Sequence, residues 1–106
     1  MTMKKIHSID QFKELASSEE SFFFLKHSLT CPISAAAYQE FEGFVNNGNA
    51  KGYYLAVQDS RELSSHIAET FNVRHESPQA FFIQNGKPVW HASHSKISEE
   101  SLQSQL

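Results

Sequence analysis

Two short stretches of this chain are apolar at every position rather than at alternate ones. They are Phe22-Phe23-Phe24-Leu25, running on to Lys26, and Ala80-Phe81-Phe82-Ile83. A strand apolar on both sides is expected at the centre of a sheet covered on both faces. Elsewhere the apolar residues recur at helical spacing. Ser8-x-x-Gln11 is a capping-box pattern followed by Ile9, Phe12, Leu15 and Ala16, and Ser17-Ser18-Glu19-Glu20 ends that helix. Pro32 opens a second helix with Ile33, Ala37, Phe41, Phe44 and Val45 on one stripe, stopped by Asn46-Asn47-Gly48-Asn49. Asp59-x-x-Glu62 marks the start of a third, with Leu63, Ile67 and Phe71 on one face. Lys4 to His7 and Tyr53 to Val57 read as further strands. Asn85-Gly86 is a two-residue hairpin signal, and Val89 to Ala92 returns from it, with Pro88 suiting an edge strand. Ser98 caps a last short helix bearing Leu102 and Leu106.

The predicted order is β-α-β-α-β-α-β-β-α, an α/β fold with a central mixed sheet of four to five strands and helices on both faces. A chain of 106 residues, 40% hydrophobic and 20% charged, fits one globular domain over 1–106. Nine phenylalanines imply a dense aromatic core. A net charge of −3 argues against nucleic acid as a partner. No stretch approaches a membrane span, and the basic start Met1 to His7 is followed by no apolar h-region, so neither membrane nor secretion is expected. A single cysteine cannot form an internal disulfide, which fits a reducing cytoplasm.

That cysteine, Cys31, stands where a thiol is most reactive. It follows a buried strand and the turn Ser28-Leu29-Thr30, and it opens the second helix. Unpaired amides and the positive end of the helix dipole favour thiolate, the nucleophilic form, there. A lone free cysteine is more often a small buried hydrophobe, but the strand-to-helix junction followed by proline favours reactivity here. Pro32 suits the first helical position and leaves the amides of Ile33 and Ser34 as donors to the sulfur.

Thr30-Cys31-Pro32-Ile33-Ser34, preceded by Phe24-Leu25-Lys26-His27-Ser28, resembles the YtxJ-like monothiol bacilliredoxins of bacteria that use bacillithiol. Phe71-Asn72-Val73, Ser77-Pro78, the run to Ile83 and Asn85-Gly86 resemble the second half of thioredoxins. The resemblance covers essentially the whole chain and implies a thioredoxin-like fold with a cis Ser77-Pro78 bond facing the cysteine. It further implies a thiol–disulfide oxidoreductase with no tightly bound cofactor and bacillithiol as co-substrate. The implied partners are S-bacillithiolated client proteins and bacillithiol or its reductase. Cys31 is then the nucleophile, with Thr30, Pro32, Ile33, Ser77 and Pro78 as the substrate platform. Two departures from thioredoxin matter. Ser34 replaces the resolving cysteine, and Leu25 stands where thioredoxins keep a buried acid.

The remaining candidates divide between chemistry and architecture. The Ser34 hydroxyl is placed to donate to the thiolate or to satisfy backbone at the helix start, and it cannot resolve a disulfide. Thr30 and Ser28 are turn formers or hydroxyl donors. Lys26 and His27 alternate across their strand, so only one can face Cys31, with His27 favoured. Arg74-His75-Glu76 could meet the malate moiety of bacillithiol, Arg being suited to carboxylates, but reads better as a solvated loop. His91-x-x-His94 lacks the company a metal site needs, so no metal is expected. Two other functions fit the same residues: a non-catalytic thioredoxin-like binding module with an inert Cys31, and an iron–sulfur carrier of the monothiol glutaredoxin type. The stiff Pro32, where those carriers have glycine, disfavours the second.

Overall fold

The two doubly apolar stretches occupy the middle of the sheet. The computed structural model describes residues 3–48 and 50–106; Met1, Thr2 and Asn49, the end of the expected helix breaker, lie outside the described residues. The elements are β1 (Lys4–Lys5), α1 (Ile9–Ser18), β2 (Ser21–His27), α2 (Pro32–Asn46) and β3 (Gly52–Ala56), then α3 (Arg61–Phe71), β4 (Gln79–Gln84), β5 (Lys87–Ser93) and α4 (Glu99–Gln103). A 3₁₀ turn at His94–Lys96, not anticipated from the sequence, links β5 to α4. Strand order is β1-β3-β2-β4-β5. The first three strands run parallel, β4 is antiparallel to β2, and β5 is antiparallel to β4.

Alternation along β2 and β4 feeds two separate cores. Phe23, Leu25, Ala80 and Phe82 meet Phe41, Phe44 and Val45 of α2 and Leu102 of α4. Phe22, Phe24, Phe81 and Ile83 meet Phe12 of α1 and Leu63 and Ile67 of α3. Phe23 and Phe82 stack with centroids 4.4 Å apart, and Phe12 meets Phe24 edge to face at 5.1 Å. Each such ring, fully buried, contributes roughly 1.5–3 kcal/mol. β3 approaches α2 so closely that a Cβ on Gly52 would lie 2.3 Å from Val45 Cγ2. Asn85 (φ 53°) and Gly86 (φ 79°) form the expected hairpin turn between β4 and β5.

Several expected boundaries move. β1 stops at Lys5 rather than His7, because the backbone N–H groups of His7 and Ser8 donate to Gln11 Oε1 in the α1 capping box (2.8 and 3.1 Å). β3 begins at Gly52 and ends at Ala56, one residue earlier at each end than expected. The N-cap of α3 is Ser60, not Asp59, whose carboxylate instead pairs with Lys5 Nζ at 2.9 Å. Leu106 lies beyond the end of α4 and is exposed. No helix among the described residues is long and apolar enough to cross a membrane.

Candidate active site

Parallel β2 and β3 end side by side, and their following loops meet. Val57 N–H donates to the His27 carbonyl at 2.8 Å. One residue on, Gln58 accepts from Leu29 N–H through Oε1 and donates from Nε2 to Ser28 Oγ, both at 3.0 Å. Gln58 thus holds the turn that presents Cys31, a role no local pattern announced because its partners lie some thirty residues away.

Cys31 is the N-cap of α2 with extended backbone (φ −105°, ψ 120°), and Pro32 fills the first helical turn. Its carbonyl accepts the Ala35 N–H at 3.0 Å. Cys31 is half-buried as a residue and is not in a disulfide. It takes no capping hydrogen bond from the first-turn amides, so the expected donation from Ile33 and Ser34 is not made; a neutral thiol is a weak acceptor. Thr30 and Pro32 are exposed beside it. Leu29 and Ile33, two residues before and after Cys31 in sequence, form an exposed apolar rim, 55% and 52% exposed.

Ser34 turns away from that rim. It is fully buried, and its Oγ lies 2.8 Å from His27 Nδ1 while accepting the Ser28 N–H at 2.8 Å. The hydroxyl ties the start of α2 to the end of β2 and makes no hydrogen bond to Cys31 among the described residues. Donation to the thiolate is therefore replaced by an anchoring role. The His27 ring also packs against Tyr38, centroids 4.7 Å apart. Burial lowers the His27 pKa and pushes the Tyr38 phenol up to about 12.

Alternation sends Lys26 to the opposite face, as anticipated. Its Nζ donates to the Ser64 carbonyl at 3.0 Å and meets His75 Nδ1 at 3.2 Å. Burial lowers its pKa to about 8. His75 Nδ1 also lies 3.2 Å from Ser64 Oγ, while the residue as a whole stays exposed. Burial first, then the Lys26 charge, lowers the His75 pKa.

Ser77-Pro78 is cis, as the resemblance implied. The pairing of Lys26 with Gln79 puts Pro78 beside His27 at the sheet end that carries Cys31. Pro78 is buried, and its carbonyl accepts the His94 N–H at 3.1 Å. Gln79 holds the approach to the proline by donating from Nε2 to the Arg74 carbonyl at 3.0 Å. Ser77 Oγ is buried with no hydrogen-bond partner among the described residues. Nor do the described residues contain a group of three His, Cys, Asp or Glu able to hold a metal ion.

Comparison with known proteins agrees with this arrangement. The family model for monothiol bacilliredoxin BrxC matches residues 4–102. A solved structure described as a candidate oxidoreductase with a thioredoxin fold is 48% identical, covering 97% of this chain and 92% of that one, with a TM-score of 0.94. The thioredoxin of Malassezia sympodialis, Mala s 13, aligns at 20% identity over 98% and 87% of the two chains, with a TM-score of 0.77. The thioredoxin of Trypanosoma brucei brucei aligns at 14% identity over 98% and 90%, also with a TM-score of 0.77. At such identity the two thioredoxins speak for the fold alone.

Proposed function

The chain belongs to the monothiol bacilliredoxin family, and from that premise we propose that it removes bacillithiol from protein mixed disulfides through Cys31. The Cys31 thiolate attacks the bacillithiol sulfur of the mixed disulfide. The new bond joins Cys31 to bacillithiol, the old S–S bond breaks, and the client leaves as a thiolate that takes up a proton. A second bacillithiol thiolate, or a reductase, then displaces Cys31 from the adduct. With bacillithiol the products are its symmetrical disulfide and free Cys31. No net oxidant is needed, because each step exchanges one disulfide for another.

The observation that carries this reading is the pairing of a lone, half-buried thiol at the N-cap of α2 with a buried serine three residues on. Ser34 cannot close an internal disulfide, so release depends on an external thiol. Leu29 and Ile33 supply an apolar rim for a client, and the Ser77-Pro78 segment supplies backbone groups for an extended one. A free thiol of this kind is maintained in a reducing compartment such as the cytoplasm.

The test is transfer. An S-bacillithiolated client is incubated with the protein, and intact mass follows the adduct. The expected result is loss of the adduct from the client and its appearance on Cys31, absent in Cys31→Ala. Undiminished release by Cys31→Ala rejects the mechanism.

A further inference from the structure

Lys26 brings an ammonium into a fully buried position, the residue being 0% exposed. Among the described residues no carboxylate pairs with it. Burial lowers its pKa to about 8, so the group is charged below that pH. A buried charge without a counter-charge is tolerated only where its donors are taken up. An ammonium has three donors. Here the Ser64 carbonyl of α3 lies 3.0 Å from Nζ and His75 Nδ1 lies 3.2 Å from it. The Phe81 ring, its centroid 5.9 Å away, covers a further side. One of the two acceptors therefore belongs to a loop rather than to the sheet or a helix.

That loop runs from the end of α3 to the cis Ser77-Pro78 bond and the start of β4. His75 stands two residues before Ser77. Gln79, the partner of Lys26 in the sheet, ties the loop through Nε2, which donates to the Arg74 carbonyl at 3.0 Å. The Glu76 carboxylate takes the Ser93 hydroxyl of β5. His75 supplies the tie to β2 and α3, its Nδ1 lying 3.2 Å from Ser64 Oγ as well.

The Lys26 contact fixes the state of the ring. Nδ1 accepts only while it keeps its lone pair, so His75 is neutral with its proton on Nε2. A second proton enters at Nδ1. The Ser64 hydroxyl can accept that N–H, but the ammonium then loses an acceptor and meets a like charge at 3.2 Å. His75 is exposed as a residue, so solvent protons reach the ring. Lys26 on β2 opposes protonation, Glu76 on the loop itself favours it, and α3 presents the uncharged Ser64. With burial the largest effect, the balance lowers the His75 pKa from 6.5.

We propose that Lys26 and His75 are positioning residues for the Ser77-Pro78 segment: the neutral His75 ring latches the loop to β2 and α3, and a proton on the ring releases it. The proposal rests on the reading of Ser77-Pro78 as the platform for an extended client and adds to it a control by pH. Exchange with protein clients then weakens in mild acid beyond what loss of Cys31 thiolate explains. A small disulfide that makes no use of the platform does not share the extra loss.

Two measurements test this. The first follows the His75 ring and the backbone amides of Glu76 and Ser77 by NMR through an acid titration, in a Cys31→Ala background. The amides should move with the ring at one midpoint below 6.5, and in Lys26→Met that midpoint should rise toward 6.5. The second takes the ratio of two exchange rates, for a bacillithiolated protein and for the mixed disulfide of mercaptoethanol with bacillithiol. Thiolate loss at Cys31 cancels in the ratio. The ratio should fall several-fold across the His75 titration in the wild type and stay level in His75→Gln, which keeps an acceptor for Lys26 but takes no proton. A ratio that holds in the wild type, or falls equally in His75→Gln, overturns the proposal, as do amides that ignore the ring. Absence of exchange through Cys31 with either substrate would instead reject the monothiol chemistry, and the amide titration would still decide the latch.

Discussion

Ser34 Oγ and His27 Nδ1 lie 2.8 Å apart, joining the first turn of α2 to the last residue of β2. Three residues after Cys31 this chain has a buried hydroxyl that also receives the Ser28 N–H. The serine therefore shapes the Cys31 turn from within.

Ser34→Ala leaves the Ser28 N–H without its acceptor inside the protein. An unsatisfied buried donor costs about 1–3 kcal/mol. A lower urea midpoint with an unchanged m-value is expected, together with slower adduct transfer to Cys31 as the 28–30 turn loosens. Stability and transfer both equal to wild type would show that the turn is held by Gln58 alone.

Gly52→Ala tests the contact between β3 and α2. The added methyl lies 2.3 Å from Val45 Cγ2 and 3.1 Å from Phe41 Cε1. Overpacking of this kind costs about 1–3 kcal/mol. Because Val45 is the obstacle, Val45→Ala in the same chain should recover part of the loss, a coupling that a double-mutant cycle in urea measures directly. Strictly additive losses would refute the clash.

Much of this architecture was legible in the sequence, and the parts that were not share a cause. Phe22 to Lys26 and Ala80 to Ile83 announced central strands because burial on two faces leaves no polar alternation. Ser8, Pro32, Asn85-Gly86 and Ser98 announced their caps and turn because those depend on neighbours a few residues away. Ser34 and Gln58 act through partners set by how the ends of β2 and β3 align, which helical or strand periodicity does not encode. Lys26 carries a charge into a buried position and finds its acceptors on α3 and the loop beyond it. His94 takes a left-handed backbone just after β5, and nothing local in His94-Ser95-Lys96 signals that.

Alkaline pH should reveal Lys26 and two half-buried tyrosines through opposite slopes. Lys26 has its pKa lowered from 10.5 to about 8. Between those values the unfolded chain binds the proton that the folded protein has released, so stability rises with pH. Tyr38 and Tyr53 are pushed from 10.0 up to about 12, burial being the main cause. Above pH 10 the folded protein keeps protons that the unfolded chain loses, and stability falls. A maximum near pH 10 is expected in urea midpoints measured in a Cys31→Ala background. Lys26→Met should remove the rising limb, and Tyr53→Phe should soften the falling one. A midpoint falling steadily from pH 8 contradicts the burial of Lys26.

At mildly acid pH the histidines should dominate. Burial lowers the pKa of His27 and of His75, so both stay neutral below pH 6.5 while the unfolded chain becomes protonated. Their contribution is present above 6.5 and is lost as pH falls through their folded values. His75→Gln should flatten the stability profile below pH 6.5 by about half if the two contribute alike. An unaltered acid limb would place the titration elsewhere.

Leu29 and Ile33 are among the few large apolar side chains left exposed, at 55% and 52%, and they bracket Cys31 in sequence. Their exposure costs stability nothing to relinquish, so Leu29→Ser and Ile33→Ser should leave urea midpoints within about 0.5 kcal/mol of wild type. Their value lies in contact with a protein client, whose apolar residues would cover them on approach to the sulfur. For a bacillithiolated protein the second-order rate should fall several-fold in the double variant. For the symmetrical disulfide of bacillithiol, which has no such surface to offer, the rate should hold. Steady-state exchange with the two substrates side by side decides the matter. An equal fall for both would mean that the two side chains shape the Cys31 turn itself, and equal rates throughout would mean that clients dock elsewhere.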